Sequence, residues 1–537
     1  MESRAEKRQR TATTDSSVSC WNDAVEWIRS NGGTVHSAMT FSATDRSVQI
    51  SNHGEGSTIS AGTVLMRIPS SCLLTVDAVS STSYGKKLVD VIQNTCSSSD
   101  ISLHNDASDL ILAVYLARMA SSTDNSANGY AAYLATLPPP SSYDNIPRRW
   151  DDEQLESLLG GTSLLTRVRK EQAALKSDYA VISTAWSKKY VDGDISSSEF
   201  PSYNEFDDMF AAVSSRGFAG LGSNDGQSDA MVPLLDLLDH RRGTDAKKDV
   251  RYKRSSDADD QDEDSSATVY IEAVADRDLS PGSTIHDTYG AKGNAQLCFR
   301  YGFCIPNNLE PDGSSNDVVE LSLKDDGQMV ELRAGPKSHT YGKFARMMEM
   351  FQETDGSEEA NKNEQEEVSG MDDMEAFLNQ CDEEEKGGDG GGDDFDMMMY
   401  GGMNGKEGED DEGEGDEEEE LESECKALER LSEALAKARE RYSLKGNELQ
   451  DAFENDDGSP MHFAAILIQS ELRTMGLYQL AALKILHRLK SMVNGSSPAA
   501  KDGKVIEDNI IDPDDLFLKQ VDELVSAYAT IRHGGLM

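Results

Sequence analysis

Only seven of the 537 residues are cysteine, and no two form a CxxC pair. Cys20, Cys72, Cys96, Cys298, Cys304, Cys381 and Cys425 are an odd, scattered set. That excludes a disulfide framework or a zinc cluster and suits free thiols in a reducing compartment. No apolar run reaches the ~18 residues of a membrane-spanning helix. The opening stretch, Met1 to Ser17, is polar and has no secretory hydrophobic region. Its KRQR is at most a weak nuclear or transit signal, and a disordered tail over 1–19 is the simpler expectation. Positive charge is scarce: 51 Lys and Arg stand against 98 Asp and Glu, a net charge of −47. This excludes a nucleic-acid grip by the chain as a whole and predicts attraction to basic partners. GxxxxGKS/T, HExxH and GxSxG are absent, so phosphate-loop, zincin and serine-hydrolase chemistry have no support. The stretch from Asp257 fails as a calcium loop. Asp262 stands where the turn needs Gly, and Thr268 where a bidentate Glu is required.

The length predicts two to four domains, and a hydrophobic content of 37% is low for a chain folded throughout. The deficit concentrates in one tract. Glu353 to Glu424 holds 31 acidic residues and three lysines, with much glycine. Such a segment cannot bury a core; a solvated insertion is expected there, with docking of basic tails as the functional alternative. An insertion of this size adds little closure entropy, because the cost grows with the logarithm of length.

Periodicity sketches the rest. Trp21 to Ile28 presents a short apolar helical face stopped by Asn31-Gly32-Gly33. Val48 to Ile50 and Thr63 to Ile68 read as strands, with Pro69 closing the second. A helical pattern runs from about Asp109 to Lys189, broken by the proline-bearing connection YLATLPPPSSYDNIP. A further helix, YNEFDDMFAAVSSRGF, leads to MVPLLDLLDH. VRYK (250–253) and TVYIEAV (268–274) read as the arms of a hairpin. Beyond Asn308 the chain reads as helical. In the stretch from Met461, Ala464, Ile468, Leu472, Leu480, Ile485 and Leu489 form a candidate buried stripe. Asp512-Pro513-Asp514 is a candidate start for the last helix.

Four short segments stand out together: SRGF (215–218), VPLLDLLDH (232–240), HDTYG (286–290) and NAQLCFRYGF (294–303). Each alone has a structural explanation, as a helix end, a buried turn, a strand end or core aromatics. In this order and spacing they resemble the SET-domain methyltransferases, in particular the branch containing the Rubisco large-subunit and actin-histidine methyltransferases. The strand AGTVLMRIP (61–69) matches the family's strand ending in IP. The resemblance covers about residues 20 to 308 as the SET core and extends more weakly to the C-terminal helices.

The resemblance implies an α+β fold. It comprises a SET-domain β-fold over 20–308 with a pseudoknot-like crossing and a helical insert over about 85–205. An all-α substrate-binding domain over 309–537 follows, interrupted by the disordered acidic insertion at about 353–424. S-adenosylmethionine is the implied cofactor, bound opposite a narrow substrate channel, and no metal is needed. Methyl transfer to an amine demands alignment of nitrogen, methyl and sulfur, and an amine held neutral. By position in the family pattern, Tyr289 is the catalytic tyrosine. Arg216, Asp239 and His240 fall at cofactor-binding positions, and Asp236, Phe218, Tyr252 and Tyr301 at substrate-binding ones. Asp239 replaces the family's Asn, and a charged acceptor can still take a hydrogen bond from the cofactor's ammonium. Gly54 and Gly56 in SNHGEGS fall out of register with the family's glycine turn, so no cofactor residue is assigned there. Phe218 cannot hydrogen-bond an imidazole, which favours lysine over histidine as acceptor.

The implied activity is protein-lysine N-methylation of a lysine-bearing substrate, with basic proteins favoured by charge. No nucleic acid or membrane partner is expected, and the chain is expected to be a monomer in the cytoplasm or nucleus, with a plastid as the other location. The alternative from another class is an inactive SET-fold adaptor that binds basic proteins through its acidic tract. A protein-histidine methyltransferase is the minor enzymatic variant.

Overall fold

The computed structural model describes residues 19–42, 46–52, 58–96, 102–121, 129–190, 200–223, 228–241, 248–256, 268–310, 314–322, 329–334, 337–352, 414–493 and 515–533. By chain number it divides into two compact units, one of 1–312 with 442–468 and one of 313–441 with 469–537. The expected N-terminal tail up to residue 18, the SNHGEGS glycines Gly54 and Gly56, the hairpin tip 257–267, the acidic stretch 353–413 and Asp512-Pro513-Asp514 lie outside the described residues.

In the first unit a helix, α1 (19–30), ends where Gly32 takes φ +88° and the Gly33 N–H reaches back to the Ile28 carbonyl. Gly supplies that left-handed exit without a Cβ clash. Strands β1 (Thr34–Val35), β2 (Met39–Phe41), β3 (Val48–Ile50) and β4 (Val64–Pro69) follow. β8 (Val250–Ser256) and β9 (Val269–Ala275) form the expected antiparallel hairpin. They complete a four-stranded antiparallel sheet in the order β1-β4-β9-β8. Leu65, Met66, Ile68, Ile271 and Ala273 from its two central strands are almost fully buried and join Ile28, Val48 and Ile50 in one apolar core.

Between β4 and β8 the chain is mainly helical: α2 (Val76–Ser80), α3 (Ser83–Cys96), α4 (Ala107–Ser121), α5 (Ala131–Leu134), α6 (Asp152–Leu159), α7 (Ser163–Tyr190) and α8 (Tyr203–Arg216). Leu110 to Ala117 of α4 are buried on every side. A helix apolar all round belongs in a core, and α4 packs against α3 and α8. Ser202 caps α8 in a reciprocal box: its hydroxyl accepts from the Glu205 N–H while the Glu205 carboxylate accepts from the Ser202 N–H. Such a cap is worth about 1 kcal/mol and fixes where α8 starts, hence where Arg216 falls at its last turn.

The short segments after α8 build the site. β5 (Gly217–Phe218) pairs antiparallel with β6 (Ala230–Met231). β7 (Asp239–His240) pairs parallel with β10 (His286–Asp287), with Asp239 opposite His286 and His240 opposite Asp287. α9 (Asn294–Tyr301) ends at Gly302, φ +76°. The Asn294 side chain donates to the Ile305 carbonyl (3.1 Å) and accepts from the Ile305 N–H (2.7 Å), folding the following loop back onto the helix.

The second unit corrects the expectation of an all-helical C-terminal region. β11 (Val318–Ser322) and β12 (Met329–Arg333) form an antiparallel hairpin. VVELS and MVELR are five-residue patterns, too short for periodicity to separate from helix, and β-branched valine tips the balance. Helices Lys337–Gln352, Glu414–Arg439 and Asp515–His533 pack together, with Phe344 edge-on to Tyr528 at 5.5 Å. Tyr478, from the long helix Pro460–Val493, donates to the Arg333 carbonyl at 2.8 Å. The helix Glu414–Arg439 also shortens the expected disordered insertion, since 414–424 lie inside it. Glutamate is a good helix former and its charge is favourable near a helix N-terminus. Of the proposed stripe, Ala464, Ile468, Leu480, Ile485 and Leu489 are buried and Leu472 is half-buried.

A Cβ on Gly302 would stand 2.9 Å from the backbone of Asn145 and Ile146 and would sit at positive φ. Gly302→Ala should therefore lower stability by roughly 1–2 kcal/mol from the left-handed conformation alone, and by more through the contact. A denaturation midpoint equal to wild type would contradict this.

Candidate active site

The parallel pair β7–β10 joins residues 47 positions apart in the chain. Tyr289 follows β10 by two residues, and its backbone N–H donates to Nδ1 of His240 at 2.9 Å. Its ring stacks on Tyr301 (4.6 Å between centroids, 30°) and on His240 (5.0 Å, 25°), and Phe303 lies edge-on at 6.4 Å. Offset aromatic pairs add about 0.5–1.5 kcal/mol each beyond burial. The Tyr289 hydroxyl donates to the Leu238 carbonyl at 3.1 Å. Burial pushes its pKa well up, against the opposing charge of Arg216, so it stays a neutral phenol, able to donate and to accept.

Asp249 anchors β10 from outside. One carboxylate oxygen accepts from the His286 N–H (3.0 Å) and faces the His286 ring (3.2 Å), while Arg277 pairs with the other at 2.5 Å. Burial opposes the charge, but His286 and the two arginines, Arg277 and Arg241, outweigh it and hold the carboxyl below its usual range.

Arg216, the last residue of α8, lies beside Asp236 in a short 3-10 turn, Leu235–Leu237. Its guanidinium donates to the Asp236 carbonyl and, through Nε, to the Tyr143 hydroxyl at 3.3 Å; the Asp236 carboxylate is 3.9 Å away. Burial alone would lower the Arg216 pKa; Tyr143 and Asp236 reverse the sign. The Asp236 side chain has no solvent exposure, and burial pushes its pKa up to about 6 against the pull of Arg216 and of the Tyr133 hydroxyl, which donates to Oδ2 at 3.0 Å. Oδ1 of Asp236 is buried and has no hydrogen-bond partner among the described residues.

The residues singled out from the sequence thus fall into three groups. Tyr289, Tyr301 and His240 form one aromatic array. Arg216 lies 3.9 Å from the Asp236 carboxylate, and its charge also reaches Tyr289. Phe218 and Tyr252 meet edge to face at 5.4 Å and 89°, a separate pair on β5 and β8, with Tyr252 exposed at the surface. The Asp239 side chain is exposed, and its backbone lies in the β7–β10 pairing. Sequence reasoning missed Tyr133, Tyr143 and Arg46. Both tyrosines lie within the proline-bearing connection YLATLPPPSSYDNIP, whose stiffness is the one signal available. Arg46, at φ +57°, bonds the Thr136 carbonyl at 2.9 Å and adds a second positive charge near Asp236.

No family model matches the chain. It is 26% identical over 204 residues to the N-lysine methyltransferase SETD6 of Mus musculus, a stretch covering 37% of this chain and 39% of that protein. It is 35% identical over 108 residues to the ribosomal lysine N-methyltransferase set10 of Schizosaccharomyces pombe, covering 18% of this chain and 17% of the relative. The match thus spans about two fifths of the length of the mouse relative. A solved structure of Rubisco LSMT bound to AdoMet superposes with a TM-score of 0.52 at 15% identity, covering 92% of this chain and 99% of that one. The LSMT SET domain bound to methyl-lysine and AdoHcy gives 0.53 at 16%, covering 92% and 99%.

The Asp236 carboxyl has a folded pKa of about 6 against 3.8 in the free acid, so the folded state binds its proton more tightly. Its contribution to stability therefore falls as pH rises from about 4 to 6, by up to ~3 kcal/mol. Asp236→Asn should remove this share. Relative to wild type, the variant should gain roughly 2–3 kcal/mol on going from pH 4 to pH 7. A difference that does not change with pH would show an ordinary carboxyl. The chain thus has the fold seen in the SET-domain structures of Rubisco LSMT, and part of its sequence is similar to N-lysine methyltransferases.

Proposed function

We propose that this chain is an S-adenosylmethionine-dependent protein-lysine N-methyltransferase. One observation carries the reading: Tyr289, two residues past β10, lies within electrostatic reach of Arg216, at the end of α8, although the two are far apart in sequence. The lysine methyltransferase relatives and the shared fold support it, and the parallel β7–β10 pairing supports the pseudoknot-like crossing.

The residues present suit the cofactor. The Arg216 guanidinium, half-buried and held charged, fits an α-carboxylate. The His240 backbone and the ring of Phe303 offer an edge and a face to a purine. Asp239 offers a charged acceptor to an ammonium. When bound, the cofactor supplies an electrophilic methyl on a sulfonium. The chain's own residues orient the acceptor and exclude water. The neutral phenol of Tyr289, flanked by the Leu238 carbonyl, holds an amine nitrogen in line and stabilises the polarised methyl through oxygen contacts. Lysine's ordinary pKa is about 10.4, so its proton must leave before attack; burial beside Arg216 disfavours the ammonium and helps it go. Phe218 and Tyr252, both aromatic, suit the aliphatic stem of lysine better than an imidazole.

Calorimetry should show AdoHcy binding that Arg216→Ala weakens strongly. A radiolabelled-methyl assay on a cell lysate should label protein at lysine, and Tyr289→Phe should cut the rate about 100-fold or more while leaving AdoHcy affinity intact. Absence of AdoHcy binding by the wild-type chain would leave the inactive-adaptor reading standing. Methyl-histidine in the hydrolysed product would reassign the acceptor.

A further inference from the structure

The geometry points to Tyr133 as a positioning residue for the amine. Its hydroxyl holds Oδ2 of Asp236 and so leaves Oδ1 as a free acceptor for an N–H of the bound lysine side chain. This rests on the lysine methyltransferase reading and deepens it, because it assigns a role to the helical insert, which supplies Tyr133.

Tyr133 is fully buried, and its hydroxyl donates to Asp236 Oδ2 at 3.0 Å. Oδ2 is also the oxygen nearest Arg216, at 3.9 Å. One carboxylate oxygen thus takes both protein partners, and the other, equally buried, has none among the described residues. A buried acceptor left unpaired is costly, and in native structures such an atom calls for a specific explanation.

The backbone keeps Tyr133 in place. It lies on α5, whose end is closed by the Thr136 hydroxyl donating to the Tyr133 carbonyl at 2.7 Å. The Arg46 guanidinium bonds the Thr136 carbonyl at 2.9 Å. The groups facing Asp236 are therefore Tyr133 from α5, Tyr143 from the 3-10 turn Pro140–Tyr143, Arg216 from the end of α8 and Arg46 from the β2–β3 connection. Two guanidiniums near one carboxylate repel an ammonium and tolerate a neutral amine. A neutral amine still carries N–H donors for Oδ1 and keeps its lone pair free for attack. With Tyr133 gone, the carboxylate is free to turn and spend both oxygens on Arg216.

The test uses the full chain saturated with AdoHcy and n-butylamine as a surrogate for the lysine side chain, with binding followed by calorimetry from pH 7 to pH 9. Wild type should bind the amine with an affinity that rises with pH, as the neutral form becomes more abundant. Tyr133→Phe, which keeps the buried ring, should weaken amine binding at least fivefold while AdoHcy affinity and melting temperature stay near wild type. Equal amine affinity in the variant would overturn the proposal, and so would AdoHcy binding by wild type without any amine binding. Amine and AdoHcy affinities falling together, with a lowered melting temperature, would mark Tyr133 as merely structural. No AdoHcy binding by wild type would instead remove the methyltransferase reading itself.

Discussion

Two backbone segments four residues in total, Asp239–His240 and His286–Asp287, lie side by side in parallel, and the site depends on that contact. Parallel pairs are no stronger per residue than antiparallel ones, so two residues on each side hold little by themselves. Side-chain contacts reinforce them. The His240 ring accepts the Tyr289 N–H, which makes Nε2 the protonated nitrogen of a neutral imidazole. Asp249 grips the His286 backbone and ring from the other side. Those bonds place the Tyr289 hydroxyl at the Leu238 carbonyl and its ring within the stack of Tyr301 and His240.

Around this junction the electrostatics are finely balanced. Asp236 is completely enclosed, yet Arg216 and Tyr133 offset only part of the desolvation, and its pKa is pushed up to about 6. Asp249, as deep in the protein by exposure of its side chain, goes the other way because two arginines and His286 face it. The two carboxylates shift in opposite directions because of how closely they are paired: Asp249 accepts from the His286 N–H and meets Arg277 at 2.5 Å, whereas the Asp236 carboxylate stands 3.9 Å from Arg216. Asp236 keeps one buried oxygen without a partner among the described residues, which costs stability.

Much of this was readable in advance. The hairpin β8–β9 announced itself by β-branched residues flanking a polar tip, and α8 by the helical pattern of YNEFDDMFAAVSSRGF. Of the residues singled out in the LLDLLDH, HDTYG and YGF segments, His240, Tyr289 and Tyr301 meet in one ring stack. The hairpin β11–β12 was missed because five-residue strands with mixed valine and glutamate carry almost no periodic signal. The acidic residues 414–424 were read as unfolded because charge was weighed above helix propensity. Tyr133, Tyr143 and Arg46 could not be singled out, since nothing local distinguishes a tyrosine that meets a carboxylate 103 positions away from one that fills a core.

Sequence by itself determined the local elements, the uneven charge and the set of chemically capable side chains, because those follow from short-range sterics, periodicity and composition. Only tertiary structure decided which of those side chains share a desolvated space. Pairing of remote strands sets that, and so does the return of a helical insert onto the β-rich core. A pKa, an orphaned oxygen or a stacked phenol exists only after distant groups have excluded water from one another.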